Sequence, residues 1–571
     1  MTTAVLIFTF SPVQSFIAEA RRAADLFVGS RILSELAKAA ASAIGADNLV
    51  YPASLDGDVP NVIVARVSAA NAAQIADSAK QTMLGRWREI AKTARTKFKN
   101  RGFADQTFDD IWERQIKHLW DVFWVAAEET SGYRDAYERA RRALDAVKRS
   151  RLFAACDEPG IKDTLSGQRE ALHLNGQATY GVVKTYWKGI AKHYAVGPSK
   201  LRPEGRERLD AIGATKRFCD LADRQFPSTS TVAALDFIAR AKQQAREALR
   251  AYKDAVAGLD AYRVADDADW PYDGDLLFEE TLAPDRLKDS YDLERLDEQV
   301  LSGARQALKK LHKAAGGPPS TYYALLVLDG DGMGERISRC LKQHDPQAAH
   351  TKLSWSLAHF SQRVADILPA DCLIYNGGDD VLAFLPLSWA LDKAQALALA
   401  FEEVANDSPA PGTASAGVAL VHHLHPLDAA LRAARAAERA AKRVDGKAAL
   451  CVTALKRSGE QETAVTKWDG VNTLKDLVAR LQQDDLAARF VSDAALTLRA
   501  IPDGRPDMLE AELRRQVHRH GSERWRQTGA PDAFAKQLAG WAAQLPGGVD
   551  ELRRWLGIAR FIVRESQEAT A

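Results

Sequence analysis

The chain has 571 residues, enough for three or four domains. Hydrophobic residues make up 46% and charged residues 27%, an ordinary globular balance, and no apolar run approaches the roughly 20 residues that span a bilayer. Lys+Arg (77) and Asp+Glu (76) cancel to a net charge of +1, which argues against a protein that binds nucleic acid through its whole surface and leaves such contacts to a local patch or to partner subunits.

Residues 4–10 (AVLIFTF) predict a buried strand. Ser11-Pro12 then opens a helix with the proline in its first turn, and Val13, Phe16, Ile17, Ala20, Ala24 and Phe27 recur at helical spacing. LVYP, a turn at SLDGDVPN and VIVARV read as a hairpin, so residues 1–105 form an α/β opening. Residues 106–315 are charged and helical, with tryptophan-rich pieces such as IWERQIKHLWDVFW, and AAGGPPSTYY has the Gly/Pro content of a boundary. Over 316–470 the order is β-α-α-β-β-α-β-α-β: TYYALLVLD, two helices, CLIY, VLAFLP, a helix, TASAGVALV, a helix and KAALCVTAL. This is a ferredoxin-like palm with an added helix and strand. Residues 471–571 are helical again. The fold class is α+β.

Two acidic clusters carry the chemistry. Asp329-Gly330-Asp331 ends an apolar strand, and Asp379-Asp380 follows the Gly377-Gly378 turn, 50 residues later. In a βααββ unit the first strand pairs next to the hairpin, so both clusters reach one end of the sheet. Four converging carboxylates, Asp329, Asp331, Asp379 and Asp380, need divalent cations to cancel their repulsion. Two ions about 4 Å apart, Mg²⁺ or Mn²⁺, would clamp the attacking and leaving oxygens of an in-line displacement at phosphorus. Gly330, Gly332 and Gly334, with Gly377 and Gly378, are the expected nucleotide-binding glycines, because phosphates can approach their backbone N–H groups.

Blander readings compete. The spacing of DGDGMG is GxGxG, with an Asp where pyrophosphate would lie in a dinucleotide loop. A Ca²⁺ loop would need ligands where Met333 and Cys340 stand. A polar turn suffices for one cluster alone but not for two on adjacent strands. Lys442 and Lys447 flank the turn RVDG and could meet a triphosphate, although a solvated helix end also favours Lys. His422, His423 and His425 follow a strand whose neighbouring residues point to opposite faces, so a structural role is expected. His344-Asp345 spells HD by chance, in a polar break without a second such helix. Cys156, Cys219, Cys340, Cys372 and Cys451 are scattered, with no CxxC pair to support a zinc site, and fit a reducing cytoplasm. The N-terminal stretch has neither the charged region nor the cleavage site of a signal peptide.

These motifs, with FTFSPVQSFIAEARRAADLFVGSRILSEL, YPASLDGDVPNVIVA, SGQREAL, ERLDAIGATKRF and FPSTSTVA, resemble the large subunit of type III-B (Cmr-type) CRISPR–Cas effector complexes. YNGGDD after DGDGMG is specific in combination; GGDD alone would indicate only a cyclase-like palm. The resemblance covers about residues 5–455 and implies two palms facing each other across a nucleotide cleft, with helical middle and C-terminal domains. It implies a target-RNA-activated synthase joining AMP from ATP into cyclic oligoadenylates, with Asp379 and Asp380 catalytic, and with partner Cmr-type subunits, guide RNA and target RNA. The first palm lacks an acidic pair and is expected to shape the cleft or hold the acceptor nucleotide. Many relatives begin with an HD nuclease domain; this chain starts at the palm strand, so no such DNase is expected. The alternatives are a scaffold that makes nothing, or a cyclase making another adenylylated messenger. A free-standing diguanylate cyclase has one palm, and a template-directed polymerase lacks the two inserted glycines.

Overall fold

The computed structural model describes residues 2–150, 158–193, 200–221, 225–293, 296–502 and 504–567; Cys156 and parts of the predicted loops at 157–167 and 197–205 lie outside these. Among the described residues the strands form two sheets.

The first sheet comprises β1 (Thr3–Ser11), β2 (Leu49–Tyr51), β3 (Val62–Ser68) and β4 (Asp121–Glu128), in the order β2-β3-β1-β4. Helices α1 (Gln14–Ala18) and α2 (Ala23–Ile44) follow β1, and α3 (Ala72–Lys99) and α4 (Gln106–Lys117) precede β4. This is a complete ferredoxin-like β-α-β-β-α-β unit. β1 reads as an unbroken apolar run because both its faces are covered. Leu6, Phe8 and Phe10 pack with α2 and α3. Val5 and Ile7 pack with Tyr133, Ala136 and Ala140 of α5 (Tyr133–Arg149).

Two expectations are corrected here. The tryptophan-rich stretch is not helical throughout: DVFWVAAE is β4, antiparallel to β1 from Ser11↔Asp121 to Ala4↔Glu128, so the first palm extends past residue 105. Its half-covered aromatic and β-branched residues suit an edge strand. The helix after Pro12 is also broken, since α1 stops at Ala18 and Asp25 restarts α2 by accepting from the N–H groups of Arg21 (3.2 Å) and Arg22 (3.1 Å). Both Asp25 oxygens also accept from the Arg217 guanidinium, at 2.6 Å each.

Helices α6 (Tyr180–Lys192), α7 (Ala211–Phe218), α8 (Thr229–Ala233), α9 (Leu235–Gln244), α10 (Arg246–Ala257), α11 (Pro284–Tyr291) and α12 (Glu298–Ala314) form the middle of the chain. The second sheet contains β5 (Tyr322–Gly330), β6 (Leu373–Gly377), β7 (Asp380–Pro386), β8 (Ala414–His422), β9 (Ala449–Leu455) and β10 (Gln461–Lys467), in the order β10-β9-β8-β5-β7-β6. Between them run α13 (Met333–Cys340), α14 (Pro346–Ile367), α15 (Ala390–Asn406) and α16 (Leu427–Lys442). β8 and β9 are parallel and the other pairs antiparallel. The polar strand β10 is absent from the elements read in the sequence; it pairs with β9 from Gln461↔Leu455 to Lys467↔Ala449.

One face of β5 (Ala324, Leu326, Leu328) shares a core with α14, α15, α17 (Trp468–Gln482), α18 (Arg489–Thr497), α19 (Pro506–His520), α20 (Glu523–Arg526), α21 (Ala530–Gln544) and α22 (Gly548–Gln567). The other face (Tyr323, Leu325) packs with the middle helices and α16. No helix among the described residues is long and apolar enough to cross a membrane.

Helix α16 lies unusually close to β8. Its buried face is Leu427, Ala430 and Leu431 followed by Ala434, Ala437 and Ala441, and a Cβ on Gly417 would strike the Ala434 carbonyl and the Glu438 amide. That backbone cannot yield without moving the helix. Gly417→Ala is therefore expected to cost about 1–3 kcal/mol of stability in denaturant titration. Gly334→Ala, where an added Cβ meets open space, should be neutral or slightly stabilising.

Candidate active site

The strand register brings the two acidic clusters together. Asp329 at the end of β5 is paired directly with Asp380 at the start of β7, and with Ser415 on its other side. Directly opposed residues in an antiparallel ladder share a face, with Cα atoms about 4.5–5.5 Å apart. The Gly330 N–H donates to the Asp379 carbonyl at 3.2 Å, tying the β6–β7 turn to the end of β5.

The three carboxylates differ in their compensation. Asp329 is ion-paired to the ammonium of Lys442, which also lies 3.3 Å from Glu438. Asp379 is half-buried and Asp380 reaches solvent, and neither has an ion pair among the described residues. Surrounding protein limits the hydration of both and pushes their pKa values above the carboxylate range; the charge of Asp379 raises Asp380 further. Arg336 opposes this at Asp379, and Arg435 of α16 at Asp380. Arg336 is buried, donating to the Ala410 carbonyl at 2.8 Å, with its guanidinium 5.3 Å from the Phe401 ring centre.

Asp331 does something else. Its buried carboxylate accepts from Thr413 Oγ1 (2.8 Å), Ser415 Oγ (2.9 and 3.1 Å) and the Ala448 N–H (3.0 Å). These bonds fasten the end of β5 to β8 and to the turn before β9. In that turn Gly446, Lys447 and Ala448 all have positive φ (67°, 49° and 48°), a conformation costly for the two non-glycine residues. Lys467 holds it from the far side, donating to the carbonyls of Asp445 (2.5 Å) and Lys447. The Lys447 ammonium finds no acceptor among the described residues and would lie 3.8 Å from a Cβ on Gly332.

Several expectations change accordingly. Asp331, expected among the four metal-binding carboxylates, has both oxygens engaged by protein donors, which fasten the loop that follows β5. Lys442, expected at the triphosphate, is engaged by Asp329 and Glu438. Gly330 is closely packed: a Cβ there would meet Phe401 at 2.7 Å and Asp379 at 2.9 Å, and its N–H is taken by the Asp379 carbonyl. Gly377 lies under the Tyr375 ring, and Gly378, with φ 70°, lies under the Tyr51 hydroxyl, so both serve packing and the turn. Gly332, left-handed at the start of α13, and exposed Gly334 keep their open approach. Among the described residues no three His, Cys, Asp or Glu side chains gather closely enough to hold a metal ion. The four-carboxylate cluster is thus not formed. Asp329, Asp379 and Asp380 stand at one end of the sheet without forming such a close set, so a cation there would need most of its ligands from outside the protein.

Sequence reasoning did not find Arg435, Glu438 and Lys467. Arg435, Glu438 and Lys442 share one stripe of α16 at spacings of three and four, a signal present in the sequence; nothing marked Lys467. The histidines are structural: His423 Nδ1 lies 2.7 Å from Ser230 Oγ with its ring stacked 4.2 Å from Phe278, and His422 Nδ1 accepts from the Leu424 N–H at 3.2 Å.

Comparison with known proteins agrees with this fold. Residues 322–451 match the family described as Cas10/Cmr2, second palm domain, and residues 5–59 that described as CRISPR-associated protein Cmr2, N-terminal. The chain resembles the large, palm-bearing subunit of type III-B Cmr complexes. The Cmr subunit Cmr2 of Pyrococcus furiosus (strain ATCC 43587 / DSM 3638 / JCM 8422 / Vc1) is 31% identical over 282 residues, 44% of this chain but only 32% of that protein's length. A chain of the apo type III-B Cmr-beta structure aligns with TM-score 0.61 at 13% identity, covering 91% of this chain and 77% of that one. In Cmr-beta bound to cognate target RNA the values are 0.67 and 12%, with 99% and 83% covered. At these identities the likeness is one of fold. All four Asp residues, Lys442 and Lys447 fall within the Cas10/Cmr2 palm match.

The raised carboxylate pKa values predict a trade of stability against function. A folded-state pKa above the unfolded one means that the ionised form destabilises the fold as pH rises through the window between them. Asp380→Asn should therefore raise the thermal midpoint of the metal-free protein at pH 7.5. The gain should shrink toward zero as pH falls below about 4, the ordinary Asp range. Equal midpoints for both proteins at pH 7.5 would refute this account of Asp380.

Proposed function

We propose that this chain is the large subunit of a type III-B RNA-guided effector complex and that, with guide and target RNA bound, it joins AMP units from ATP into cyclic oligoadenylates. One observation carries the reading: Asp379 and Asp380, adjacent carboxylates without an ion-pair partner among the described residues, stand beside Asp329 on a directly paired strand. Two uncompensated carboxylates at a turn cost stability, and a cation-binding role gives them a reason to be there.

In the proposed reaction a ribose 3′-oxygen of one nucleotide forms a bond to the α-phosphorus of another. The bond from that phosphorus to the bridging oxygen of pyrophosphate breaks, and the hydroxyl proton passes to solvent. Two Mg²⁺ or Mn²⁺ ions, held by Asp329, Asp379 and Asp380 together with phosphate oxygens, would supply charge neutralisation and a more acidic hydroxyl. The chain's own groups then have separate tasks. Lys447, with an uncommitted ammonium, meets the triphosphate near Gly332 and Gly334. Lys442 balances Asp329 until phosphate and cation arrive, and Arg435 faces the charge beside Asp380. Asp331 and Lys467 fix the turn that carries Lys447.

A scaffold role is the second reading, favoured by the Lys442–Asp329 ion pair, which occupies one of the needed carboxylates. A third product class, AMP joined to another acceptor, uses the same groups. The deciding experiment assembles the complex with guide RNA and supplies ATP, Mg²⁺ or Mn²⁺, and matching target RNA, with products read by mass spectrometry. Oligoadenylates that require target RNA and disappear in Asp379→Ala/Asp380→Ala are expected. Intact guide and target binding without any nucleotide product would leave the scaffold reading.

A further inference from the structure

The first palm touches the acidic turn of the second at two points. Asp58, in the loop between β2 and β3, has a side chain only 8% exposed. One of its oxygens accepts from the backbone N–H of Asn376 at 3.2 Å, and the other lies 3.0 Å from Arg31 Nη1 on α2. β6 is the outermost strand of its sheet, so the outward-pointing N–H of Asn376 has no ladder partner and needs one from elsewhere. The second point is Tyr51 at the end of β2, whose hydroxyl would lie 2.7 Å from a Cβ on Gly378. The strand entering the turn and the turn's left-handed glycine therefore both rest on first-palm side chains.

The surroundings make this contact firm. Asn376 is also anchored through its side chain, which donates to the Ser361 carbonyl of α14 at 2.6 Å. Arg31 keeps Asp58 in place at one oxygen and leaves the other for the amide. A hydrogen bond from a backbone amide to an ionised carboxylate is stronger than a neutral one. Asp379 and Asp380 follow Asn376 by three and four residues, so a shift at Asn376 displaces the carboxylates.

We propose that Asp58 is a positioning residue: with Arg31 and Tyr51 it makes the first palm set the placement of the Gly377–Asp380 turn. Its consequence for catalysis rests on the nucleotidyl-transfer reading; the structural claim does not. The first palm is then more than a wall of the nucleotide site, since it holds the carboxylates of the second palm in register.

The test compares wild type, Asp58→Ala and Asp58→Asn in the full chain by residue-resolved hydrogen exchange and thermal midpoint, and in the assembled complex by the Mn²⁺ dependence of ATP turnover. In Asp58→Ala, exchange at Asn376–Asp380 should rise about tenfold or more while the rest of the second palm is unchanged. The half-maximal Mn²⁺ concentration should rise with a smaller change in KM for ATP. Asp58→Asn, which keeps an acceptor oxygen, should recover most of the protection. Should Asp58→Ala fail to fold, Arg31→Met, which frees Asp58 without removing it, is expected to show the same effects in weaker form. Unchanged exchange and Mn²⁺ dependence in the variants overturn the proposal. So does a uniform rise in exchange with a lowered midpoint, which marks a merely structural residue. If wild type makes no product, the nucleotidyl-transfer reading fails, while the exchange data still decide whether Asp58 holds the turn.

Discussion

Two carboxylates placed opposite each other on neighbouring strands repel, and in this protein that placement is fixed by backbone register between Asp329 and Asp380. The chain meets the problem unequally. Asp329 receives a lysine from α16, while Asp379 and Asp380 are left with raised pKa values and distant arginines. Much of the second palm follows from delivering that lysine. Helix α16 must approach the sheet closely, which its alanine face and Gly417 permit, and its stripe of Arg435, Glu438 and Lys442 then lies along the site. A bulkier face on α16 would leave the fold recognisable and the electrostatics wrong.

Asp329 and Asp331 are near in sequence and opposite in role. The ladder with β7 reaches Asp329, and the chain then bends: the Asp331 N–H donates to the Thr413 carbonyl at 2.7 Å, and its carboxylate gathers donors from β8 and the β9 turn. A buried carboxylate with its acceptor sites filled by protein donors is held rigidly, and so can hold the left-handed run at Gly446–Ala448. Strain in that run is tolerated because Asp331 and Lys467 grip it from two sides. Its effect is to place Lys447, whose ammonium has no acceptor among the described residues, near the glycine loop.

Much of this architecture was legible in the sequence, because the second palm alternates clean strand and helix periods separated by Gly, Pro and polar breaks. The order β-α-α-β-β-α-β-α-β could be read directly, as could the pairing of the two acidic clusters on adjacent strands. What failed has identifiable causes. β4 is embedded in a tryptophan-rich run next to α4, where apolar residues satisfy either period. β10 is polar because one of its faces is exposed at a sheet edge. The break between α1 and α2 depends on Asp25 and on Arg217, 192 residues away. At the site, residue type announced carboxylates and lysines, but not which way Asp331 turns or which carboxylate Lys442 chooses. Those choices are set by Ser415 and by the height of α16 above the sheet, both tertiary facts.

The two palms share one topology, and corresponding parts of them meet. In each, the second and third strands form the hairpin at the end of the sheet order: β2 and β3 in the first, β6 and β7 in the second. In the second palm the hairpin carries the acidic turn; in the first it carries Tyr51 and, in its loop, Asp58, which contact that turn. The first palm has no acidic pair after β1, where Phe10-Ser11-Pro12 stands. Its hairpin loop nevertheless holds Asp56 and Asp58, and Asp58 accepts an amide from the partner hairpin instead of facing solvent. A sheet edge always offers unpaired N–H groups, and here that liability becomes a joint between the palms. Because a backbone amide has one fixed direction, the joint specifies orientation as well as proximity. That is what a turn carrying two mutually repelling carboxylates needs if they are to stay in register with Asp329.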